Sequence, residues 1–155
     1  MVLSACNDRK LSYVCPHWTG WKRSEKYKNN NIIEIINTDI LNYNLSKLNN
    51  LKKISIISNL PYNISTRIIL KFFYNSSSIE EMVFMIQKEV AEKFDYKLKN
   101  INKYKFLTKI YSDYKICFNV SPNVFFPKPK VLSSVVKFKI KKNIEDEDKI
   151  KKFIN

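Results

Sequence analysis

The fold is decided by residues 53–74, which read KISIISNLPYNISTRIILKFFY. The segment Lys53 to Ser58 is rich in isoleucine and nearly continuous in apolar character, which is typical of a strand buried in a parallel sheet. The tetrapeptide Asn59-Leu60-Pro61-Tyr62 ends that strand, and Ser65 or Thr66 is expected to cap a helix that runs to about the end of the stretch. A buried strand, a turn and a helix in this order are the repeating unit of an α/β sheet.

The same alternation continues on both sides of this stretch. Short β-branched or alternating apolar segments predict strands, and segments with apolar residues on one face predict helices. The predicted strands lie at residues 32–36, 53–58, 81–87, 114–120 and 131–141, and the predicted helices at 65–74, 88–96 and 104–112. We therefore predict an α/β fold with a largely parallel sheet.

The tetrapeptide stands where open α/β sheets bind ligands, just beyond the carboxyl end of a strand. It suits methylation of an exocyclic amine, whose lone pair is delocalised into the base. The Asn59 side-chain oxygen and the Leu60 backbone carbonyl can accept from the two amine hydrogens, and Pro61 brings no competing N–H. Tyr62 offers a ring on which an extruded base can stack. The alternative is an ordinary proline turn with a tyrosine in the core.

Composition points to a polyanionic partner. The chain has 155 residues, with 28 Lys and Arg against 14 Asp and Glu, and a formal charge of +14. This excess favours a nucleic acid or an anionic membrane surface. Part of it reflects a general abundance of Lys, Asn and Ile. Because the chain contains a single glycine, it has no glycine-rich phosphate-binding loop.

The three cysteines give neither a metal site nor a disulfide framework. Cys6 and Cys15 are not spaced like zinc ligands, and His17 would leave such a site one ligand short. We expect no metal and reduced thiols, as in the cytoplasm. No apolar segment approaches the roughly 20 residues of a membrane span, so no membrane partner is expected.

Three segments, in the same order along the chain, resemble the small-subunit ribosomal RNA adenine N6,N6-dimethyltransferases. They are residues 59–66 (NLPYNIST), 85–91 (MIQKEVA) and 120–136 (VSPNVFFPKPKVLSSVV). Residues 35–41 (IINTDIL) are similar to the strand-and-acid element that holds the adenine of S-adenosylmethionine in that family. The resemblance implies a Rossmann-like class I methyltransferase sheet, mostly parallel.

The resemblance also implies roles for individual residues. Asp39 would accept from the cofactor's adenine amine with Ile40 packing beside it, and Asn59 would lie between the cofactor's methyl group and the target N6. Leu60 and Pro61 would shape the acceptor pair. The target adenine would lie between the rings of Tyr62 and Phe125. Lys128 and Lys130 would contact phosphates. The alternatives are a turn acid at Asp39, a core aromatic at Phe125 and solvated lysines.

The chain also departs from the family pattern. The family's first two strands, with the glycine-rich turn between them, have no counterpart before Asn31, so we predict an incomplete sheet with a gap or an exposed apolar edge. The predicted domains are an atypical, poorly ordered tail at 1–30, a partial catalytic domain at 31–142, and the start of a truncated helical region at 143–155.

The resulting hypothesis is S-adenosylmethionine-dependent N6-dimethylation of adenines in small-subunit rRNA, in the cytoplasm. The partner would be the immature small ribosomal subunit, and the chain would act as a monomer. One alternative is a non-catalytic RNA-binding or ribosome-assembly module, and another is an inactive truncated product. A third is a large-subunit rRNA adenine methyltransferase, in which Ile more typically stands at the position of Leu60.

Overall fold

The computed structural model describes residues 3–7, 10–15, 33–48, 53–75 and 77–142. The strands are β1 (Leu3–Asn7), β2 (Lys10–Cys15), β3 (Ile33–Asn37), β4 (Ile54–Asn59), β5 (Ile79–Gln87), β6 (Ser112–Val120) and β7 (Ser133–Ile140). The helices are α1 (Ser65–Phe73), α2 (Lys88–Phe94) and α3 (Lys103–Tyr111), with short 3-10 turns at Leu45–Leu48 and Pro122–Val124. Each strand and helix predicted from the periodicity is confirmed, with ends that shift by a few residues.

The described strands form one seven-stranded sheet in the order β3-β2-β1-β4-β5-β7-β6. β2 is parallel to β3, and β4 is parallel to β5. β1 is antiparallel to both of its neighbours, and β7 is antiparallel to β5 and β6. Five of these seven strands run in one direction, with β1 and β7 reversed, but four of the six neighbouring pairs are antiparallel, so the sheet is mixed rather than largely parallel.

The expectation that the first two strands are absent is wrong. Two strands occupy the places between β3 and β4, so the sheet has no gap there. β1 and β2 pair as an antiparallel hairpin, from Leu3 opposite Val14 to Asn7 opposite Lys10. A hairpin fills both places without a crossover helix or a glycine-rich turn, because antiparallel neighbours can be joined by a very short connection. The rest of the predicted tail, and the region 143–155, lie outside the described residues.

The three helices cover one face of the sheet through a shared aromatic cluster, which consists of Phe73, Phe94, Tyr111 and Phe138. The Phe73 ring stacks on Tyr111 at 5.5 Å between centroids and meets Phe94 and Phe138 edge-on. All four side chains are 0% exposed. Because α1, α2, α3 and β7 each contribute one ring, burying this cluster fixes the helices on the sheet.

Two helix starts differ from each other in how they are capped. α1 begins at Ser65 itself, with Ile64 before it and no side-chain cap, so the predicted cap by Ser65 or Thr66 is wrong. Ser65 is instead buried and donates from Oγ to the carbonyl of Tyr62 at 3.2 Å. α3 is capped by Asn102, whose Oδ1 accepts from two backbone N–H groups.

Among the described residues, no helix is both long and apolar enough to cross a membrane.

Candidate functional site

A cleft of about 590 Å³ lies at the carboxyl end of β4. Two parts of the chain meet there because β7 runs opposite to β5. Ser133, the first residue of β7, pairs with Gln87 at the end of β5 and with Val120 at the end of β6. The loop 121–132 is thus held at the same sheet edge as residues 59–62. The cleft is lined by Asn59, Leu60, Pro61, Tyr62, Phe125, Phe126, Pro127 and Pro129.

Asn59 and Leu60 line the cleft, and each has a hydrogen-bond acceptor without a partner among the described residues, although Leu60 is only 1% exposed. The Leu60 N–H donates to the carbonyl of Met85 at 3.0 Å, and Pro61 has no N–H. The carbonyl of Pro61 accepts from the N–H of Ile64 at 3.3 Å, and that of Tyr62 accepts from Ser65. Within the described part of the chain, the Leu60 carbonyl and the exposed Asn59 side chain have no hydrogen-bond partner.

Tyr62 is anchored to β7 by a hydrogen bond. Its hydroxyl and the Ser133 Oγ are 2.8 Å apart and share a hydrogen bond. Ser133 is 0% exposed, so this partner is held rigidly within the sheet. The bond fixes the hydroxyl end of this half-buried ring, which lines the cleft. The sequence did not identify Ser133, since the two residues lie 71 positions apart.

Phe125 also lines the cleft and directly follows the 3-10 turn with which the loop 121–132 begins. The Ser121 side chain caps that turn by accepting from the N–H of Asn123 at 3.3 Å. The N–H of Phe125 donates to the carbonyl of Pro122 at 3.2 Å. The ring is half-buried. The structure therefore brings together all five residues predicted for the target pocket: Asn59, Leu60, Pro61, Tyr62 and Phe125.

Asp39 and Ile40 do not line this cleft. They follow β3, which lies three strand spacings, or about 14 Å, from β4. The Asp39 carboxylate is exposed and accepts from the N–H of Leu41 at 2.9 Å and the side-chain amide of Asn42 at 3.3 Å. Ile40 is only 2% exposed and belongs to the hydrophobic core. In this structure Asp39 is therefore a turn-stabilising acid, and the Ile40 side chain offers little surface to a ligand.

Lys71 on α1 ties this turn to the helix and was not identified from the sequence. Its Nζ donates to the carbonyls of Leu41 at 2.6 Å and Tyr43 at 2.7 Å. Burial lowers the pKa of Lys71, and the nearby Asp39 carboxylate partly opposes that effect. The sequence contained a signal for a partly buried lysine here, because Lys71 stands beside Phe72 and three residues after Ile68, next to the buried face of the helix.

The loop 121–132 carries positive charge and exposed apolar side chains beside the cleft. The predicted phosphate contacts, Lys128 and Lys130, are both exposed there, although they do not line the cleft itself. Phe126 is 102% exposed and stands at the cleft mouth. No role for Phe126 could be predicted from the sequence, since an exposed ring cannot be told from a buried one by its position in a loop.

Comparison with known proteins gives consistent matches. The family model described as ribosomal RNA adenine dimethylase matches residues 22–155. Ribosomal RNA small subunit methyltransferase A of Malacoplasma penetrans is 40% identical over 115 residues, which cover 73% of this chain and 42% of that protein. The protein of the same name from Mesomycoplasma hyopneumoniae (strain J) is 37% identical over 123 residues, covering 78% and 46%. The chain thus spans less than half the length of these curated relatives.

Solved structures agree on the fold. A dimethyladenosine transferase from Plasmodium falciparum superimposes with a TM-score of 0.65 at 24% identity, over 83% of this chain and 47% of that one. The 23S rRNA methyltransferase ErmE superimposes with a TM-score of 0.70 at 18% identity, over 90% and 57%. At these identities the likeness concerns architecture, and the predicted Rossmann-like methyltransferase class is confirmed.

Proposed function

Because the chain belongs to the ribosomal RNA adenine dimethylase family, we propose that it acts in S-adenosylmethionine-dependent N6-dimethylation of adenines in small-subunit rRNA. One observation carries this proposal. In the tetrapeptide after β4, the groups left without partners among the described residues are the Asn59 side chain and the Leu60 carbonyl. Those two groups are the acceptors that a target amine needs.

The acceptors would act on the electronic state of the amine. The N6 lone pair of adenine is delocalised into the ring, which makes the amine planar and a poor nucleophile. Hydrogen bonds from its two N–H groups to the Asn59 Oδ1 and the Leu60 carbonyl favour a pyramidal nitrogen with a free lone pair. The acceptors are already in place before reaction, which is the condition for electrostatic stabilisation.

The aromatic walls would hold the base in position. An adenine extruded from its stack would lie between the rings of Tyr62 and Phe125, which face the same cleft. The hydrogen bond between Tyr62 and Ser133 restricts the Tyr62 ring, and the 3-10 turn restricts the Phe125 ring. S-Adenosylmethionine, when bound, supplies the methyl group as an electrophile. The proton displaced from N6 would pass to water, so positioning does most of the catalytic work.

The described residues fit one end of the cofactor. Asp39 keeps an exposed carboxylate at the carboxyl end of β3, and its oxygens have lone pairs beyond those used in the turn. An adenine amine can therefore still donate to it. The buried Ile40 would support the turn from below. The single glycine, Gly20, does not provide a glycine-rich turn for the methionine end, so the fit is limited to the adenine end.

The remaining parts of the proposal concern partner and compartment. A formal charge of +14 and the exposed Lys128 and Lys130 support an RNA substrate, and we propose the immature small ribosomal subunit. We further propose that the chain acts as a monomer. The three cysteines without a pairing pattern support a reducing, cytoplasmic location.

The test compares two asparagines of the same turn. Asn59→Ala removes the proposed acceptor, while Asn63→Ala changes an exposed asparagine that does not line the cleft. Transfer of labelled methyl groups from S-adenosylmethionine to undermethylated small subunits is measured for the 155-residue chain and both variants. We expect Asn59→Ala to lose transfer by orders of magnitude with RNA binding nearly unchanged, and Asn63→Ala to keep both activities.

Two results would contradict the proposal. Equal transfer by Asn59→Ala and the unaltered chain would remove Asn59 as an amine acceptor. The second result would come from calorimetric titration of S-adenosylmethionine into the 155-residue chain. No binding by a chain that still melts cooperatively would favour the non-catalytic RNA-binding module.

A further inference from the structure

The loop that closes the cleft exposes an unusual amount of apolar surface. Four of its side chains are largely exposed: Val124 (68%), Phe126 (102%), Val131 (39%) and Leu132 (45%). Single exposed apolar residues are common, but a group of them on one loop that also lines a cleft indicates a binding surface. Phe126 is the most exposed and the largest of the four, so it dominates that surface.

The charge around Phe126 restricts what can bind. Residues 121–132 contain two lysines and no acidic residue. Among the residues the structure describes, no ion pair engages Lys128 or Lys130. An exposed ring beside unpaired positive charges is the combination with which proteins bind single-stranded nucleic acid, since the ring stacks on a base and the charges follow the backbone.

Phe125 and Phe126 are placed for different tasks. The backbone at Phe125 is extended, with φ −108° and ψ 147°, and consecutive side chains of an extended backbone point away from each other. The Phe125 ring is half-buried in the cleft wall, while Phe126 is fully exposed at its mouth. The Phe126 ring is therefore free to contact a nucleotide that the Phe125 ring cannot reach.

We propose that Phe126 stacks on the base next to the target adenine in the bound RNA. When an adenine leaves its stack, the neighbouring base loses a stacking partner on one face. The Phe126 ring would replace that partner, with Lys128 and Lys130 near the adjoining phosphates. This assignment rests on the proposed function, because it requires RNA in the cleft, and it adds a position that selects for an unpaired neighbouring base.

The experiment uses short single-stranded RNA with one central adenine and 2-aminopurine on either its 5′ or its 3′ side. Stacking on an aromatic ring quenches 2-aminopurine, so fluorescence reports contact at the neighbouring base, and the titration gives Kd. The 155-residue chain is compared with Phe126→Ala, Phe126→Leu and Phe126→Trp. Phe106→Ala is the matched control, since Phe106 is 48% exposed on α3 and does not line the cleft.

We expect Phe126→Ala and Phe126→Leu to weaken binding by roughly fivefold to a hundredfold and to abolish quenching at one neighbouring position. Phe126→Trp and Phe106→Ala should bind like the unaltered chain. The leucine variant keeps apolar surface without a ring, so it separates stacking from burial. Since Phe126 is fully exposed, the variants at this position should melt at the same temperature as the unaltered chain. The tryptophan variant keeps an aromatic ring, so it tests the site independently of folding.

The outcomes separate this proposal from the one on which it rests. Wild-type affinity and quenching in Phe126→Ala would overturn the stacking role and leave RNA binding intact. No RNA binding by the unaltered chain would overturn both proposals. Phe126-dependent RNA binding by a chain that does not bind S-adenosylmethionine would support the stacking role and contradict methyl transfer by this chain.

Discussion

The hydroxyl of Tyr114 is a buried group whose environment makes stability depend on pH. Tyr114 is 4% exposed, and its hydroxyl donates to the carbonyl of Ala91 at 2.7 Å. Burial raises the pKa of Tyr114 well above its ordinary value, and the nearby carboxylates of Asp95 and Glu92 add to this effect. The phenol therefore stays protonated in the folded chain at a pH where the unfolded chain ionises.

The expected result is a loss of stability above the ordinary tyrosine pKa of ~10. Below that pH the protonated phenol contributes fully, and above it the contribution falls by roughly 1.4 kcal/mol per pH unit, because the unfolded state releases the proton and the folded state does not. Tyr114→Phe should cost about 1 kcal/mol near neutral pH. Urea unfolding should then show the two proteins converging as the pH rises above that value. A difference that stays constant with pH would contradict this interpretation.

The turn after β3 and helix α1 are joined by Lys71, although they are distant in sequence. The two carbonyls that accept from Lys71, those of Leu41 and Tyr43, belong to the turn that Asp39 stabilises from within. Since α1 directly follows the cleft tetrapeptide, this one side chain fixes the predicted adenine-binding turn relative to the predicted target pocket. Lys71 is a positioning residue in this arrangement.

Lys71→Met should loosen the turn and destabilise the chain. It leaves two partly buried carbonyls without their donor, which costs about 1–3 kcal/mol. Lys97→Met is the control, because Lys97 is exposed and its replacement should change stability by less than about 0.5 kcal/mol. Urea unfolding gives the free energies, and calorimetry with S-adenosylmethionine tests positioning. Equal stability and equal cofactor affinity for both variants would rule out a positioning role.

Elements set by local sequence patterns could be predicted, whereas contacts between residues distant in the sequence could not. The positions of β4, α1 and β5 follow from apolar periodicity within short windows, and the cleft tetrapeptide follows from its place after a strand. The Tyr62–Ser133 and Lys71–Leu41 bonds join residues 71 and 30 positions apart, so no local pattern contains them. The hairpin was missed because the missing glycine-rich turn argues only against the family's own first two strands, and an antiparallel pair needs no such turn.

In the whole molecule, the hairpin decides whether the sheet is continuous. β1 is hydrogen-bonded on both sides, to β2 and to β4, and without it β4 would present an unpaired edge in the middle of the sheet. Unpaired edges bind other strands and promote aggregation. Continuity also links β3, which carries the Asp39 turn, to β4, which carries the cleft. The two halves of the proposed site therefore depend on β1 and β2, which lie between them in the sheet.

A proline in β1 tests this dependence. Ala5 lies opposite Ser12 of β2 and Ile56 of β4, and proline in a central strand removes a ladder hydrogen bond and is not tolerated there. We expect Ala5→Pro to lower the melting temperature and to speed hydrogen exchange at the β4 amides that face β1, while amides between β4 and β5 remain protected. Ala5→Ser should leave both measurements unchanged. If the β4 amides exchange equally in the two variants, β1 does not complete the sheet, and β3 and the Asp39 turn are not held to the cleft through the hairpin.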